Sequence, residues 1–409
     1  MKLNRGVSNK GMILELLRSA ELRTRMELSQ ITGLSLPTVM KWVDEFLAKG
    51  IVLDGGTGAS TGGKPPRLLR FNYQSHYIVG IDINDSRIDV VLMDLAANVL
   101  RNRVRDIGSY NSFDQVVSYV CQMIQGVLEG SGLRRGDILG IGVGVSGAVD
   151  PGTGLLRRFP AFGWENADLV APIQRRFGLP VLVENNARAA AMGEKLVGVA
   201  ADYENFVYIH VGDEVNAALV VGGALCYGHG TGLNTFGHFT VDPNGPVCVC
   251  GRRGCLNAVA APGAIERRAR QALAALREGQ DSLILDMAYG HMERVNIYTI
   301  IDAAENGDAL AVRLLKAAAR SLATAIVDIT CLAGPEAVVL DGKLARNSHV
   351  FLEALRAQTQ RESAPLCGEP IPLRLASLGK HLCAIGVASM ILNRFIESGG
   401  DALPMQAAV

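Results

Sequence analysis

No run of 18 consecutive apolar residues occurs anywhere in this sequence, so it encodes no stretch long enough to cross a bilayer as a helix. The opening MKLNRGVSNKG has basic residues with no apolar run behind them, which excludes a secretory signal peptide in that segment and predicts a cytoplasmic protein. Net charge is also missing, because 40 Lys+Arg balance 40 Asp+Glu over 409 residues. Cysteine is scarce at eight residues, and five of these (Cys121, Cys226, Cys331, Cys367, Cys383) are scattered as small buried hydrophobes would be. In the expected compartment stable disulfides are rare.

The other three cysteines crowd into CVCGRRGC, Cys248 to Cys255, with His238 ten residues upstream of the first. A redox device, a disulfide knot or a metal site could use such a cluster, and unrelated thiols beside a core histidine would also produce it. Cys-x-Cys-x4-Cys plus one imidazole supplies the four borderline-soft ligands of a closed tetrahedral Zn2+ site. Gly251 and Gly254 let the backbone turn around the ion. A site with four protein ligands, His238, Cys248, Cys250 and Cys255, is structural rather than catalytic.

The zero net charge hides an asymmetry. Residues 1–70 carry 11 Lys+Arg against 6 Asp+Glu, a net of +5, so the remainder carries −5. A basic head on an acidic body suits a nucleic-acid-binding module joined to a non-binding domain. Within the head, Ile13, Leu14, Leu16 and Leu17 share one helical face, and a second short helix is expected near Met26–Thr32. Gly33 permits the bend of a helix-turn-helix, Ser35 is a natural N-cap, and Pro37 fits the first turn of a third helix over 36–48. That helix would present Leu36, Pro37, Thr38 and Lys41, beside Ser35, to a major groove. The segment IVLDGGTGASTGGKPPRLLRFN then reads as strand, Gly-rich tip, strand: a wing whose Lys64 and Arg67 could reach a minor groove or phosphates. A plain three-helix packing unit is the competing reading.

From residue 75 strands and helices alternate. Strands are expected at 77–83, 87–94, 98–105, 138–145, 180–185, within 206–221 and at 337–341. Helices are expected at 113–130, 187–198, 262–276, 308–332 and 381–397. This order in two halves predicts an α/β fold with mixed sheets and two lobes. Domains are expected at 1–72, 73–190 (a first lobe completed by helix 380–397) and 191–379 (a second lobe with the metal loop 238–257). The tail SGGDALPMQAAV, 398–409, is expected to be disordered.

GIDI at Gly80, VGVSGAVD at Val143–Asp150, PAFGW at Pro160, VEN at Val183, FGH at Phe236 and the cluster CVCGRRGCL resemble, in order, the motifs of the ROK family (repressors, open reading frames, sugar kinases). The resemblance covers residues 10 to 395 and implies an actin- and hexokinase-like body of ribonuclease-H-like lobes. The winged head, with its STGGK, is similar to the family's repressor branch, which includes the N-acetylglucosamine and xylose repressors. The four metal ligands match the family's spacing one by one.

Where this chain departs from the family's kinases, it loses chemistry. Asn186 stands at the catalytic Asp position, and a neutral amide cannot supply general-base assistance of about 10²- to 10⁴-fold. Asn84-Asp85-Ser86 replaces the first phosphate loop and Gly212-Asp213-Glu214-Val215-Asn216 the second, adding three carboxylates where phosphates would sit. The resemblance places Gly163, Asn185, Asn186, Thr235, His238 and Asn257 around an effector. At Thr235 and Asn257 this chain lacks glutamates usual in the family. We therefore expect a transcriptional regulator, a repressor of carbohydrate genes, with structural Zn2+, no ATP and no catalytic residue. Its expected partners are palindromic double-stranded DNA, a sugar-derived effector that an acid-poor pocket would admit as an anion, and further copies in a homodimer or tetramer. The alternatives are a decayed pocket, control by a protein partner, a scaffold role, and a ROK sugar kinase.

Overall fold

A computed structural model describes residues 8–58, 65–108, 112–227, 235–276 and 281–405. They divide into two compact units. The first contains everything up to Val197 and everything from Leu378, and the second is the intervening Gly198–Ser377. The head and the first lobe thus form one unit rather than two, and the reason lies in their shared core. Ile13, Leu14 and Leu17 on helix Asn9–Arg18 and Phe46 on helix Leu36–Ala48 belong to the same buried cluster as Ile391, Leu392 and Phe395 of the last helix, Leu382–Glu397.

In the head, three helices (Asn9–Arg18, Arg25–Thr32, Leu36–Ala48) are followed by an antiparallel pair, Val52–Thr57 with Arg67–Phe71, whose other edge takes Arg23–Thr24. Local chemistry sets the boundaries. Thr24 and Glu27 close a capping box at the second helix, and Gly33, at φ 70°, ends it by donating its N–H to the Ser29 carbonyl.

The first lobe is a five-stranded mixed sheet in the order Val181–Asn185, Ile138–Val145, Tyr77–Ile83, Arg87–Asp94, Val99–Asp106. The first three strands run parallel and the rest antiparallel. Both faces are covered, which is why Ile138–Val145 is buried at every position. Helix Leu382–Glu397 lies against the sheet so closely that a Cβ on Gly80 would stand 2.1 Å from the Ala384 carbonyl oxygen. A glycine is required there by contact, not by a turn.

The segment after that helix is placed as far as Met405, contrary to the expectation of a disordered tail. Asp401 reaches Lys10 at 3.0 Å and Lys49 at 2.8 Å, and Glu45 bridges the same two lysines at 2.7 and 2.8 Å. Ser8 Oγ donates to the Glu397 carbonyl at 2.9 Å. Charge alternation and two positive-φ glycines, Gly399 and Gly400, hold what composition alone suggested would be loose.

The second unit has its own five-stranded sheet, in the order Ala224–Leu225, Val215–Val221, Phe206–Val211, Ala337–Gly342, Leu373–Leu375. Helices Ala309–Ala333 and His349–Cys367 pack on each other, and Ile297–Glu305 packs on both. The expected elements fall within two residues of these bounds at most ends. Helices His349–Cys367 and Ile297–Glu305 lay outside the sequence reading.

Candidate functional site

The cysteine loop begins with the short turn Phe236–His238 and folds back on itself. Thr240 bridges Cys255, Val247 bridges Arg253, and Cys248 N–H donates to the Arg252 carbonyl at 2.7 Å. Gly254, at φ 65°, is forced: a Cβ would stand 1.5 Å from the Asp242 carbonyl oxygen. This folding brings one ligand atom from each of His238, Cys248, Cys250 and Cys255 within 4.8 Å of all the others. Cys250 Sγ lies 3.6 Å from Cys255 Sγ, and Cys248 Sγ lies 3.5 Å from His238 Nδ1.

Those separations can be tested against an ion. Metal–sulfur bonds of about 2.3 Å and metal–nitrogen bonds of about 2.0–2.1 Å, spread tetrahedrally, give edges of about 3.8 Å between sulfurs and about 3.6 Å between sulfur and nitrogen. The two separations of 3.5 and 3.6 Å lie close to those edges, so the four side chains could hold such an ion. Burial and the neighbouring thiols push the Cys255 thiol up to about 12, so without an ion it keeps its proton. An N–H from Arg252 holds Cys250 below its ordinary value. A divalent cation favours thiolate at every one of them.

The six residues assigned to an effector are split between the two units. In the first, Asn185 and Asn186 stand where strand Val181–Asn185 gives way to helix Asn186–Val197, at the carboxyl end of the parallel strands. Asn185 is buried; its Oδ1 accepts the N–H groups of Ala187 and Arg188, and its Nδ2 donates to the Gly147 carbonyl at 3.0 Å. Asn186 Nδ2 donates to Ser146 Oγ at 2.6 Å. Beneath them lies a buried ion pair, Glu184 with Arg188 at 2.5 Å, and Arg188 also donates to the Val149 carbonyl. Gly163 is exposed at φ 67°, while its neighbour Trp164 is buried and stacks on Phe162 at 4.8 Å.

In the second unit, His238 N–H donates to the Thr235 carbonyl at 2.8 Å. Asn257 Oδ1 accepts the Val215 N–H at 2.7 Å, tying helix Leu256–Ala260 to strand Val215–Val221. That bond engages Asn257 in holding the loop beside His238.

Asn84–Ser86 and Gly212–Asn216, the two loops compared above with phosphate loops, have backbone donors already engaged. Asn84 Oδ1 accepts from the N–H groups of Ser86 at 3.1 Å and Arg87 at 3.0 Å. In the other, Gly212 N–H donates to the Glu214 carbonyl at 3.1 Å, and Asp213 pairs with Lys343 at 2.8 Å. An Asx turn in the first and an ion pair in the second hold these loops to the chain itself.

In the head, Leu36, Pro37 and Lys41 are exposed as expected. Ser35 has the extended backbone of an N-cap, yet its hydroxyl bonds Thr38 Oγ1 at 2.8 Å instead of a backbone N–H, and Thr38 is half-buried. Arg67 is exposed and paired with Asp54 at 2.8 Å. Lys64 lies outside the described residues. One outward residue escaped the sequence reading: Met40, 44% exposed, one turn beyond Leu36. Its signal was phase, since it falls between the inward positions Val39 and Val43.

The profile of the ROK family matches residues 78–394. The xylose repressor of Bacillus spizizenii is 27% identical over 391 residues, covering 96% of each chain. Among solved structures, a ROK family transcriptional regulator described as a homolog of the E. coli MLC protein superposes with a TM-score of 0.83 over 96% of both chains at 24% identity. A ROK family glucokinase from Streptomyces griseus, solved with glucose and AMPPNP, superposes at 0.68 with 26% identity, covering 77% of this chain and 98% of its own. The body has the actin/hexokinase-like fold these structures share. From a profile spanning more than three quarters of its length, the chain belongs to the ROK family.

Proposed function

We propose that this protein is a sequence-specific DNA-binding transcriptional regulator, a repressor controlled by a sugar-derived effector and without phosphotransferase activity. One observation carries the reading. The family profile begins at residue 78, and the head before it is matched by a repressor: an alignment over 96% of the chain leaves too few residues to omit a 70-residue head. That head is a winged helix-turn-helix in arrangement, with helix Leu36–Ala48 turning Leu36, Pro37, Met40 and Lys41 outward. Such a face enters a major groove, and Arg67 with Lys64 would flank it at phosphates or a minor groove. Homodimers or tetramers would pair two heads on a palindrome.

Loss of kinase activity rests on three features acting together: Asn186 in place of a carboxylate, and two loops whose N–H groups serve the chain itself. His238, Cys248, Cys250 and Cys255 would hold a structural Zn2+, which stabilises the loop carrying His238 and so couples metal to effector site. We assign Gly163, Asn185 and Asn186 of the first unit, and Thr235, His238 and Asn257 of the second, to effector binding. With neutral groups at three positions where carboxylates are usual, this set suits an anionic sugar derivative.

The test is selection of fragmented genomic DNA by the purified protein at fixed salt, with and without pools of neutral sugars, sugar phosphates and sugar acids. Recovery of a few palindromic sites, released by one anionic pool, is expected. An absence of enriched sites, together with ATP turnover on pooled hexoses, would overturn the reading in favour of the kinase.

A further inference from the structure

Away from the residues assigned to DNA, effector and metal, the surface of the first unit carries an open cleft of about 730 Å3. Its walls come from three parts of the chain. Lys49 and Ile51 belong to the head; Ile138, Leu139 and Leu179 to the lobe; Phe395 and Leu403 to the last helix and the segment after it. The size is that of a site for a drug-sized organic molecule, and the lining is that of one too: mostly aliphatic and aromatic carbon with a few polar groups.

The polar groups are all of one kind. Lys49, His76 and Arg135 line the cleft, and among the described residues no carboxylate does. Lys49 is neutralised by Asp401 and Glu45. Arg135 lays its guanidinium on the Gly178 carbonyl and forms no ion pair among the described residues. Four of its five N–H donors remain for another acceptor. His76 stacks obliquely on Phe395, ring centroids 5.2 Å apart, with Nδ1 3.1 Å from Ser75 Oγ. An uncompensated guanidinium on an apolar wall favours an anion with an apolar body, because desolvating the pair strengthens it and the body buries the carbon around it.

We propose that this cleft is a second ligand site, taking a small amphipathic organic anion whose aromatic or branched body lies against Ile138, Leu139, Leu179 and Phe395 and whose acidic group meets Arg135. Such a ligand touches head, lobe and terminal segment at once. By linkage it stabilises their present arrangement over any in which the head has moved away. The site is separate from the effector residues at Asn185 and Asn186, and its occupancy is read without DNA.

Two dyes of one shape separate the contributions. The full-length protein is titrated, by fluorescence, with the anionic 8-anilinonaphthalene-1-sulfonate and with neutral N-phenyl-1-naphthylamine. One saturable site per chain is expected, with the sulfonate bound at least about tenfold more tightly, a difference of about 1.4 kcal/mol. Arg135→Ala, at an exposed position, should erase the tenfold difference while leaving the neutral dye's affinity unchanged. Ala402→Trp, also exposed, should fill the cleft and remove both dyes. Equal affinity for the two dyes, sulfonate binding indifferent to both substitutions, or no saturable binding at all would each overturn the proposal, whatever the protein does on DNA.

Discussion

Breaking the ion pair beneath Asn185 is the most quantitative perturbation the structure offers. Glu184 and Arg188 expose only 3% and 7% of their side chains, and Glu184 Oε1 takes both Arg188 Nε at 2.7 Å and the Asn185 N–H at 2.6 Å. Glu184→Leu removes the carboxylate that faces the buried Arg188 guanidinium, which costs about 3–5 kcal/mol. For a unit of this size each kcal/mol moves the melting midpoint by about 2–4 °C, so the transition of the first unit should fall by about 6–20 °C. Arg188→Met alone should cost a similar amount by removing the cation that faces the buried carboxylate. The double variant is the control: with both charges gone the site becomes ordinary apolar core, and most of the loss should be recovered. Urea unfolding of the wild type, two singles and the double measures this directly. Singles that each lose less than about 1 kcal/mol would show that the pair is solvated and that the reasoning from burial fails.

Cys255→Ala should reduce bound zinc from one equivalent per chain to none by atomic absorption, and weaken operator binding although the residue is far from the head in sequence. Zinc-free protein with undiminished operator affinity would refute the coupling. Met40→Ala should weaken binding to the selected site by an apolar contact and relax preference at one base pair. Lys41→Ala should instead lower affinity evenly across sequences and reduce the salt dependence by about one phosphate contact per head. Burial holds the His76 imidazole below its ordinary value, with Asp137 opposing that shift and Lys49 reinforcing it. A lowered imidazole binds fewer protons folded than unfolded, so its contribution is intact above about pH 6.5 and is lost as pH falls from there toward the folded value. His76→Phe, which keeps the ring on Phe395, should flatten that limb of the stability profile.

What the sequence disclosed, and what it withheld, follows from the range of the interactions. Ile138–Val145 and Tyr77–Ile83 were legible because a fully buried strand writes itself as a continuous apolar run, and Leu36–Ala48 because its inward residues recur at helical spacing. The metal set was legible because its ligands are special residues at short spacing. Met40 was not, since an apolar side chain in a periodic helix reads as core until its phase is measured. The structured end Ser398–Met405 carries no periodicity at all, and is held by Lys10 and Lys49, hundreds of positions away. The letters of loop Asn84–Ser86 were plain in the sequence. That Asn84 turns its own Oδ1 onto two N–H groups, closing the loop from within, needed coordinates.

The contact between Lys10 and Asp401 joins residues 391 positions apart. At synthesis rates of about 5–20 residues per second, Lys10 waits roughly 20–80 s for its partner to be made. Through that interval the head can form its own helices, but the clasp that seats it on the lobe cannot close. A nascent chain therefore carries a basic, helix-forming module on a tether before it carries a finished regulator. Ribosomes stalled before the last helix emerges would carry a head whose shared core with that helix is still incomplete.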